Sequence, residues 1–264
     1  MSTADVSIVI VNHNHRKVID KCLASLYALP DSAAFEVTLI DNTGTDGTAD
    51  WMAEYYPQVT IRRNMVRRGF AANANAGIRE SAGGRYVLLL NPDVICIAGL
   101  LDCLVAFLDA HPEAAIAAPQ LYDPDGAMQA NVRRFPTPAA LALRAMRVDA
   151  FWKSPGVRRY LMHGESPEST AVDWVTGAVL MVRRTAIEDV GLLDENYFLY
   201  WEDLDWCYRM RQAGWTVHRV AEARAIHAQA REGVRRPFSR AGRSQFAGAV
   251  RFFRKFGWDA GRVA

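Results

Sequence analysis

Short apolar runs alternate with amphipathic stretches along the first half of the chain. An apolar run from Val6 to Val11 predicts a strand buried on both faces, because a half-exposed strand would alternate apolar and polar positions. Apolar residues then recur three and four positions apart between Val18 and Leu26, which predicts a helix, and residues 35–40 form the next apolar run. This β-α-β order predicts parallel strands joined by a right-handed crossover.

The same alternation continues as far as residue 118. The pattern predicts a helix over 48–56, a strand over 59–62, a helix over 71–81, a strand over 86–90, a helix over 100–110 and a strand over 114–118. Such alternation is typical of an α/β fold with a Rossmann-like, doubly wound and mostly parallel central sheet that is covered by helices on both faces.

The sequence between residues 119 and 172 has a different character. It contains six prolines, seven Lys or Arg, five Asp or Glu and little periodicity, which predicts a variable insertion rather than core strands. Regular patterns return afterwards. They predict a strand over 172–183 with Gly177 inside it, helices over 185–190 and 204–213, and a last strand over 215–220.

Composition narrows the class of protein. With 50% hydrophobic and 23% charged residues the chain can bury a large core, which excludes a disordered or fibrous protein, and its net charge of +2 gives no indication of nucleic-acid binding. The four cysteines include no Cys-x-x-Cys pair, and the sequence shows neither a secretory leader nor an apolar stretch of about 18 residues. We therefore expect reduced thiols and a cytoplasmic protein that contacts membranes only peripherally.

Polar side chains follow three of the predicted strands at the point where each strand ends. Asn12 and His13 follow the first strand, Asp41 the second, and Asn91 and Asp93 the strand over 86–90. Asn and Asp are common in turns, but the carboxyl ends of parallel strands meet at one edge of the sheet, where ligands bind. Asp93 either caps the next segment or holds a divalent cation together with phosphate oxygens.

Three acidic residues, Glu202, Asp203 and Asp205, lie at the start of the helix predicted over 204–213. The helix dipole stabilises carboxylates there, so a purely structural role is one interpretation. Capping needs only one acid, however, and the cluster lies among aromatic residues; these are Tyr197, Phe198, Tyr200, Trp201 and Trp206. Partial desolvation raises the proton affinity of a carboxylate, which favours a general base.

Other functional classes can be compared with this pattern. A Rossmann dehydrogenase would carry a Gly-x-Gly-x-x-Gly loop after the first strand, and a nucleotidylyltransferase a Gly-rich basic loop; residues 12–15, Asn-His-Asn-His, match neither. A catalytically silent nucleotide-sugar binder remains an alternative. His227, after the last predicted strand, is either a structural histidine or a metal ligand.

The chain resembles the inverting glycosyltransferases of family 2, and among them the rhamnosyltransferase-like members that act on bacterial cell-surface polysaccharides. Four blocks between residues 5 and 258 carry the resemblance. They are Val6–Asn14, Asp41-Asn42 with Asp46-Gly47, Leu90–Asp93, and the run from Val175 through Gly191–Glu195 and Tyr200–Asp205 to Ala213–Trp215.

The resemblance implies a GT-A fold, a nucleotide-diphosphate sugar donor and a divalent cation, Mn²⁺ or Mg²⁺. It favours dTDP-rhamnose as donor, with UDP-sugars as the alternative, and a hydroxyl of a glycan or of a lipid-linked cell-surface polysaccharide precursor as acceptor. Transfer would be a single in-line displacement that inverts the anomeric carbon. Residues 1–230 would form the GT-A domain, with the insertion over 119–172 on the acceptor side.

The resemblance also implies roles for individual residues. Asp203 would be the general base, with Glu202 beside it, and Asp93 and His227 would hold the cation. The implied nucleotide-sugar-binding residues are Val11, Asn12, His13 in place of the usual aromatic residue, Asp41, Arg68, Asn75, Asn91 and Asp93; the implied acceptor-side residues are Trp174, Gly177 and Trp201.

The sequence departs from the family pattern in two places. Asn91 replaces the first Asp of the family's Asp-x-Asp metal motif. The motif Asn-x-Gly-Phe is interrupted, because residues 65–68 separate Asn64 from the Gly-Phe pair. Arg67 or Arg68 is therefore expected to reach the diphosphate in place of Asn64.

Charge is distributed unevenly along the chain. Residues 231–264 hold nine Lys or Arg and two Asp or Glu, a net charge of +7, so residues 1–230 carry −5. Apolar and basic residues recur there at helical spacing; they are Phe246, Val250, Phe253 and Phe256, and Arg243, Arg251, Arg254 and Lys255. The segment is either an amphipathic helix that binds an anionic membrane or a helix packed on the body with a solvated basic face.

Overall fold

The structure of the chain is a computed structural model that describes residues 4–81, 83–145, 168–228 and 239–260. Its helices are α1 (Arg16–Tyr27), α2 (Thr48–Tyr55), α3 (Phe70–Glu80), α4 (Leu100–Ala110), α5 (Pro138–Ala145), α6 (Arg184–Val190), α7 (Glu202–Gln212) and α8 (Arg240–Phe256). Its strands are β1 (Val6–Asn12), β2 (Phe35–Asn42), β3 (Thr60–Asn64), β4 (Tyr86–Leu90), β5 (Val94–Cys96), β6 (Ala114–Tyr122), β7 (Val132–Arg133), β8 (Thr170–Val172), β9 (Trp174–Val175), β10 (Val179–Arg183) and β11 (Thr216–His227).

Among the described residues, nine strands form one sheet in the order β3-β2-β1-β4-β10-β6-β11-β5, with β8 also paired to β11. β1 pairs in parallel with β2 and β4, and β11 pairs in parallel with β6. β10 lies antiparallel between β4 and β6, and β5 and β8 are antiparallel to β11. The predicted mostly parallel, doubly wound sheet is confirmed.

Helices cover both faces of the sheet because the central strands are apolar on both faces. In β1, Ile8 and Ile10 point to the face where α1, α2 and α4 pack, whereas Val9 points to the face where α3, α6, α7 and α8 pack. All three side chains are at most 1% exposed. This double burial explains why β1 is an apolar run rather than an alternating pattern.

Two predicted strands are wrong in their extent. The strand expected over 172–183 is divided: β8 pairs with β11, β9 pairs with β7 in a separate two-stranded sheet, and β10 lies in the large sheet. The chain leaves the strand conformation at Gly177. The last strand continues beyond residue 220 to His227, with a register shift between Val220 and Arg224. Because apolar residues stand on both sides of each irregularity, the pattern of apolar positions did not predict it.

The two ends of the predicted insertion over 119–172 belong to the sheet. β6 continues to Tyr122, and β8 pairs with β11 from Thr170. The first predicted boundary therefore cuts through β6, and the second places the whole of β8 inside the insertion. Residues 146–167 lie outside the described residues, as does the division at residue 230, so the domain boundary there stays a prediction.

α8 packs on the body of the protein through one of its sides. Phe252 and Phe253 are 0% and 3% exposed and contact the ring of Trp201. The Nζ of Lys255 donates to Asp194 and to Asp205, at 2.8 and 2.7 Å. Within the described ranges, none of the helices combines the length and the hydropathy that a membrane span requires.

The close approach of α3 to β1 generates a testable prediction. A Cβ added at Gly77 would overlap the Cγ atoms of Val9. We expect Gly77→Ala to lower the free energy of unfolding by about 2 kcal/mol, since overpacking costs up to about 3 kcal/mol and the helix propensity of Ala returns about 1 kcal/mol. Urea unfolding followed by circular dichroism measures the loss. In a Val9→Ala background the same change should cost much less; an equal loss in both backgrounds would contradict the packing explanation.

Candidate active site

Polar side chains join the ends of β1 and β2. Asn12 donates from Nδ2 to Oδ1 of Asp41 at 2.7 Å, and both side chains are buried. His13 follows at the same edge, with its Nδ1 2.9 Å from the carbonyl oxygen of Asn42. The structure thus brings Asn12, His13 and Asp41 together, with the half-buried Val11 beside them. The amide of Asn12 is engaged at both ends, because its Oδ1 also accepts from the N–H of His15 at 3.2 Å, and the half-buried His13 is the most accessible of the three side chains.

The segment 65–68 approaches the same edge of the sheet. Asn42, the last residue of β2, donates from Nδ2 to the carbonyl oxygen of Arg68 and accepts from the N–H of Arg68, both at 2.9 Å. The guanidinium of Arg68 is about half exposed. Asn64 instead donates to Asn73, at 2.5 Å. Arg68, whose guanidinium also lies 3.7 Å from Glu195, is therefore the more accessible of these two side chains.

Asn75, which is expected to bind the donor, contacts other residues of the protein in this structure, and its role toward the donor stays a prediction. Its side chain is 1% exposed, Nδ2 donates to the carbonyl oxygen of Leu193 at 2.9 Å, and Oδ1 accepts from the N–H of Leu193 at 3.1 Å. Nδ2 also donates to Glu195, at 3.1 Å. Asn75 joins α3 to the segment before α7, and both ends of its amide are engaged in that contact.

Asp93, which follows β4, and His227, at the end of β11, lie next to each other. Oδ1 of Asp93 lies 3.4 Å from Nε2 of His227, which is the last residue of β11 rather than a residue beyond the last strand. Gln129 orients the imidazole: its Oε1 lies 3.4 Å from Nδ1, and its Nε2 donates to the carbonyl oxygen of His227 at 2.7 Å. Nε2 therefore faces the carboxylate.

The chemistry of this pair fits a divalent cation. Carboxylate and imidazole groups both bind transition-metal cations, and Gln129 provides the outer contact that commonly orients a ligating histidine. In the part of the chain that the structure describes, no group of three or more His, Cys, Asp or Glu surrounds a common centre. The other ligands would be phosphate oxygens and water, as is usual where a cation binds a diphosphate. Asn91 lies beside Asp93 at the exit of β4.

Asp203 lies in the first turn of α7 and accepts two backbone hydrogen bonds. Oδ2 accepts from the N–H of Gly177 at 2.9 Å, and Oδ1 accepts from the N–H of the next residue at 2.8 Å. Gly177 lies in the break between β9 and β10, and the neighbouring Ala178 accepts from the N–H of Asn91 at 2.8 Å. These bonds place Asp203 at the same edge of the sheet as Asp93.

The two neighbouring acids Glu202 and Asp203 differ in their surroundings. Burial raises the pKa of Asp203, and its two backbone hydrogen bonds only partly oppose this effect. Burial and then the charge of Asp203 raise the pKa of Glu202 to about 8. Glu202 is 5% exposed, and its Oε2 has no hydrogen-bond partner among the described residues. Asp203, which is partly accessible, is therefore better placed than Glu202 to accept a proton from a substrate.

Asp205, the third acid of the cluster, has a structural role. It is 0% exposed, and its Oδ2 accepts from Lys255 at 2.7 Å and from the hydroxyl of Tyr197 at 3.2 Å. Oδ1 accepts from Nε of Arg209 at 2.7 Å. Because three side chains occupy its oxygens, Asp205 is not a candidate for the base.

The acceptor-side role of the two tryptophans stays a prediction, and in this structure both indole rings are packed against other parts of the protein. Trp174 is 6% exposed and donates from Nε1 to the carbonyl oxygen of Arg134 at 2.9 Å. Trp201 is 8% exposed and donates from Nε1 to Gln245 of α8 at 3.0 Å. A Cβ on Gly248 of α8 would lie 2.5 Å from Cδ1 of Trp201, so the indole fits closely against this helix.

Backbone strain precedes the two candidate acids. Tyr200 and Trp201 have φ angles of 69° and 75°, a left-handed conformation that is unusual for residues other than glycine. Each such residue costs on the order of 1–3 kcal/mol and persists only where packing enforces it. The fit of Trp201 against α8 supplies that packing.

Two supporting residues were not predicted from the sequence. Gln129 lies in the segment expected to be a variable insertion, although it orients His227. Arg133 of β7 contributes a favourable charge beside the carboxylate of Asp203, and its guanidinium lies 5.1 Å from the ring centre of Trp174. Both reach the site through long-range contacts, for which the local sequence carries no signal.

Sequence comparison identifies related proteins. The family model described as "Glycosyl transferase family 2" matches residues 7–184. The N-acetylglucosaminyl-diphospho-decaprenol L-rhamnosyltransferase of Mycobacterium tuberculosis is 31% identical over 243 residues, which cover 88% of this chain and 78% of that protein. The rhamnosyltransferase WbbL of Escherichia coli is 29% identical over 84% of this chain and 83% of its own length.

Solved structures share the architecture at lower sequence identity. GalNAc-T7 with UDP, GalNAc and Mn²⁺ superposes with a TM-score of 0.64 and 18% identity over 86% of this chain and 44% of that chain. The mannosyltransferase PcManGT of Pyrobaculum calidifontis, in complex with GDP-Man and Mn²⁺, gives a TM-score of 0.62 and 19% identity over 94% of this chain and 64% of that chain. The chain thus spans less than two thirds of either solved chain.

The buried Glu202 generates a prediction about pH and stability. Because folding raises its pKa, Glu202 binds a proton more tightly in the folded than in the unfolded state, so the free energy of unfolding falls as the pH rises from 4.5 to about 8. We expect Glu202→Gln, which does not ionise, to raise Tm relative to the parent protein by an amount that grows across this window. Calorimetry at a series of pH values measures the difference, with the exposed Glu188→Gln on α6 as control. A gain that does not depend on pH would contradict the prediction.

Proposed function

The chain belongs to glycosyltransferase family 2 and has the GT-A fold, and from this premise we propose that it transfers rhamnose from dTDP-rhamnose to a hydroxyl of a glycan or of a lipid-linked cell-surface polysaccharide precursor. One observation carries the proposal: the bonds Gly177–Asp203 and Ala178–Asn91 bring a candidate base to the edge where Asp93 lies. The names of the related rhamnosyltransferases support the choice of sugar.

In the proposed reaction, Asp203 accepts the proton of the acceptor hydroxyl. The acceptor oxygen forms a bond to the anomeric carbon while the bond from that carbon to the diphosphate oxygen breaks, so the configuration inverts. The N–H of Gly177 holds the carboxylate in a fixed orientation toward the substrate. The raised pKa of Asp203 makes it a stronger base than an exposed aspartate would be.

The donor is proposed to lie along the edge formed by β1, β2 and β4. Asn12, His13 and Asp41 face the nucleobase, and Arg68 faces the diphosphate. Asp93 and His227 would hold the divalent cation, which neutralises charge on the diphosphate leaving group when it is bound. Asn91 lies at the exit of β4, where its N–H donates to the carbonyl oxygen of Ala178.

The proposed acceptor also suggests where the protein works. A lipid-linked acceptor of the kind named for the mycobacterial relative is held in a membrane. We therefore propose a cytoplasmic enzyme in peripheral contact with the inner face of the cell membrane. Transfer from a UDP-sugar would replace dTDP-rhamnose as the proposed donor. Binding of a donor without any product would replace the proposed enzyme with a nucleotide-sugar-binding protein.

The role of Asp203 can be tested by substitution. We expect Asp203→Asn to lower kcat for rhamnose transfer by about 10²- to 10⁴-fold, because the amide cannot accept the proton. The rise in Tm on adding dTDP should be retained, since Asp203 is not assigned to the nucleotide. Asp20→Asn, on the exposed side of α1, is the matched control. Near-normal turnover at saturating substrate would remove Asp203 from this role and make Glu202 the next residue to replace.

The cation site can be tested without measuring activity. We expect dTDP to raise Tm more in the presence of Mn²⁺ than in EDTA. We also expect dTDP to raise Tm more than UDP or GDP does. A ligand that binds only the folded state raises the free energy of unfolding by an amount that grows with the logarithm of its concentration divided by its Kd. Asp93→Asn combined with His227→Gln should abolish the contribution of Mn²⁺ while a smaller response to dTDP remains. An identical response in EDTA and in Mn²⁺, together with transfer undiminished by EDTA, would overturn the assignment.

A further inference from the structure

The two sides of α8 differ in character. Phe252 and Phe253 anchor one side in the core. The other side carries four exposed arginines, Arg240, Arg243, Arg251 and Arg254. Phe246 is 74% exposed, and Trp258, directly after the helix, is 63% exposed although its ring stacks on that of Phe253. Packing on the body accounts for the buried side, but it leaves the ring of Phe246 and much of the ring of Trp258 in solvent near the arginines.

A second exposed segment lies next to the start of α8. Met65 is 92% and Val66 is 72% exposed, and two arginines follow them. Phe198 connects the two segments: its carbonyl oxygen accepts from the N–H of Phe70 at 2.8 Å, and the guanidinium of Arg240 lies 4.7 Å from the centre of its ring. The α8 surface is defined as Met65, Val66, Arg243, Phe246, Arg254 and Trp258.

The α8 surface combines exposed apolar side chains and positive charge at a higher density than the other described residues do. Six large hydrophobic side chains are exposed in the described part of the chain, and four of them belong to this surface. The segments 65–68 and 239–260 contain seven Lys or Arg and one acidic residue, Asp259, whereas residues 1–230 together carry −5. Exposed apolar side chains that cluster among charges of one sign mark an interaction surface.

We propose that the α8 surface binds the anionic surface of a lipid bilayer. Arginines attract the phosphate groups of anionic lipids, and exposed Phe, Trp and Met side chains enter the boundary between headgroups and acyl chains. A nucleic acid would match the positive charge but would leave the apolar side chains in water. This inference deepens the proposed function and rests on it, because a membrane contact serves an enzyme whose acceptor is lipid-linked.

The α8 surface adjoins the proposed site on two sides. The backbone of Arg68, directly after Met65 to Arg67, bonds to Asn42 at the donor edge. Phe198 lies shortly before the strained residues that lead into α7 and Asp203. We therefore expect a bilayer held against this surface to lie on the side of the protein that carries the donor edge and the segment leading into α7.

Sedimentation with vesicles tests the proposal on the full chain. We expect binding to vesicles of phosphatidylcholine mixed with phosphatidylglycerol, little binding to phosphatidylcholine alone, and release at high salt. Arg243→Gln with Arg254→Gln should weaken partitioning by roughly fivefold for each arginine. Phe246→Ser should weaken it further. Lys17→Gln with Lys21→Gln removes the same charge from α1, on the opposite face of the sheet, and should leave binding nearly unchanged.

Three results would overturn the proposal. The first is that the parent chain does not bind the anionic vesicles, and the second is that the α8 and α1 variants lose binding equally. The third is a dimer in solution that Phe246→Ser dissociates, since the α8 surface would then be an interface between two copies. The rise in Tm on adding dTDP reports separately on the nucleotide site. If dTDP still raises Tm but the chain does not bind vesicles, the proposed function stands without the membrane contact. If the chain binds vesicles but dTDP does not raise Tm, the membrane contact stands without the proposed function.

Discussion

A buried carboxylate, that of Asp205, joins the segments that build the catalytic side of the molecule. It accepts hydrogen bonds from Arg209 of its own helix α7, from Tyr197 in the loop before α7 and from Lys255 of α8. The same Lys255 also donates to Asp194. Burial would raise the pKa of Asp194, but the hydrogen bonds that its carboxylate accepts, including the one from Lys255, lower that pKa to about 2. Loss of one partner would leave a charge buried, which typically costs about 3–5 kcal/mol. The position of α7 therefore depends on the terminal helix.

Neighbouring positions on α7 have different properties because the helix turns by about 100° per residue. Glu202 faces the interior, where burial keeps its proton in place, whereas Asp203 faces the break between β9 and β10 and meets the N–H of Gly177. That N–H faces a carboxylate because the chain leaves the strand at this point. The irregularity in the strand is thus what orients the candidate base.

The ends of β1, β2 and β4 could be predicted from the sequence, because an apolar run and the polar residues after it are adjacent in the chain. The same local pattern placed three acids at the start of α7 but could not distinguish among them, since burial decides their roles. The contacts of Asn75 and Trp201 could not be predicted, because their partners, Leu193 and α8, are distant in sequence. Contacts between residues that are distant in sequence produce no periodic pattern of apolar positions, so the sequence pattern does not predict them.

The antiparallel strand in the middle of the sheet has a consequence for the order in which the protein can assemble. β1 to β4 form a continuous parallel unit that needs only the first 90 residues. The free edge of β4 is covered by β10, which is complete only when residue 183 has left the ribosome. During synthesis the unit of β1 to β4 therefore keeps an open strand edge at β4 while almost the whole of the next hundred residues is made. The protection of that edge comes only once β10 has been synthesised.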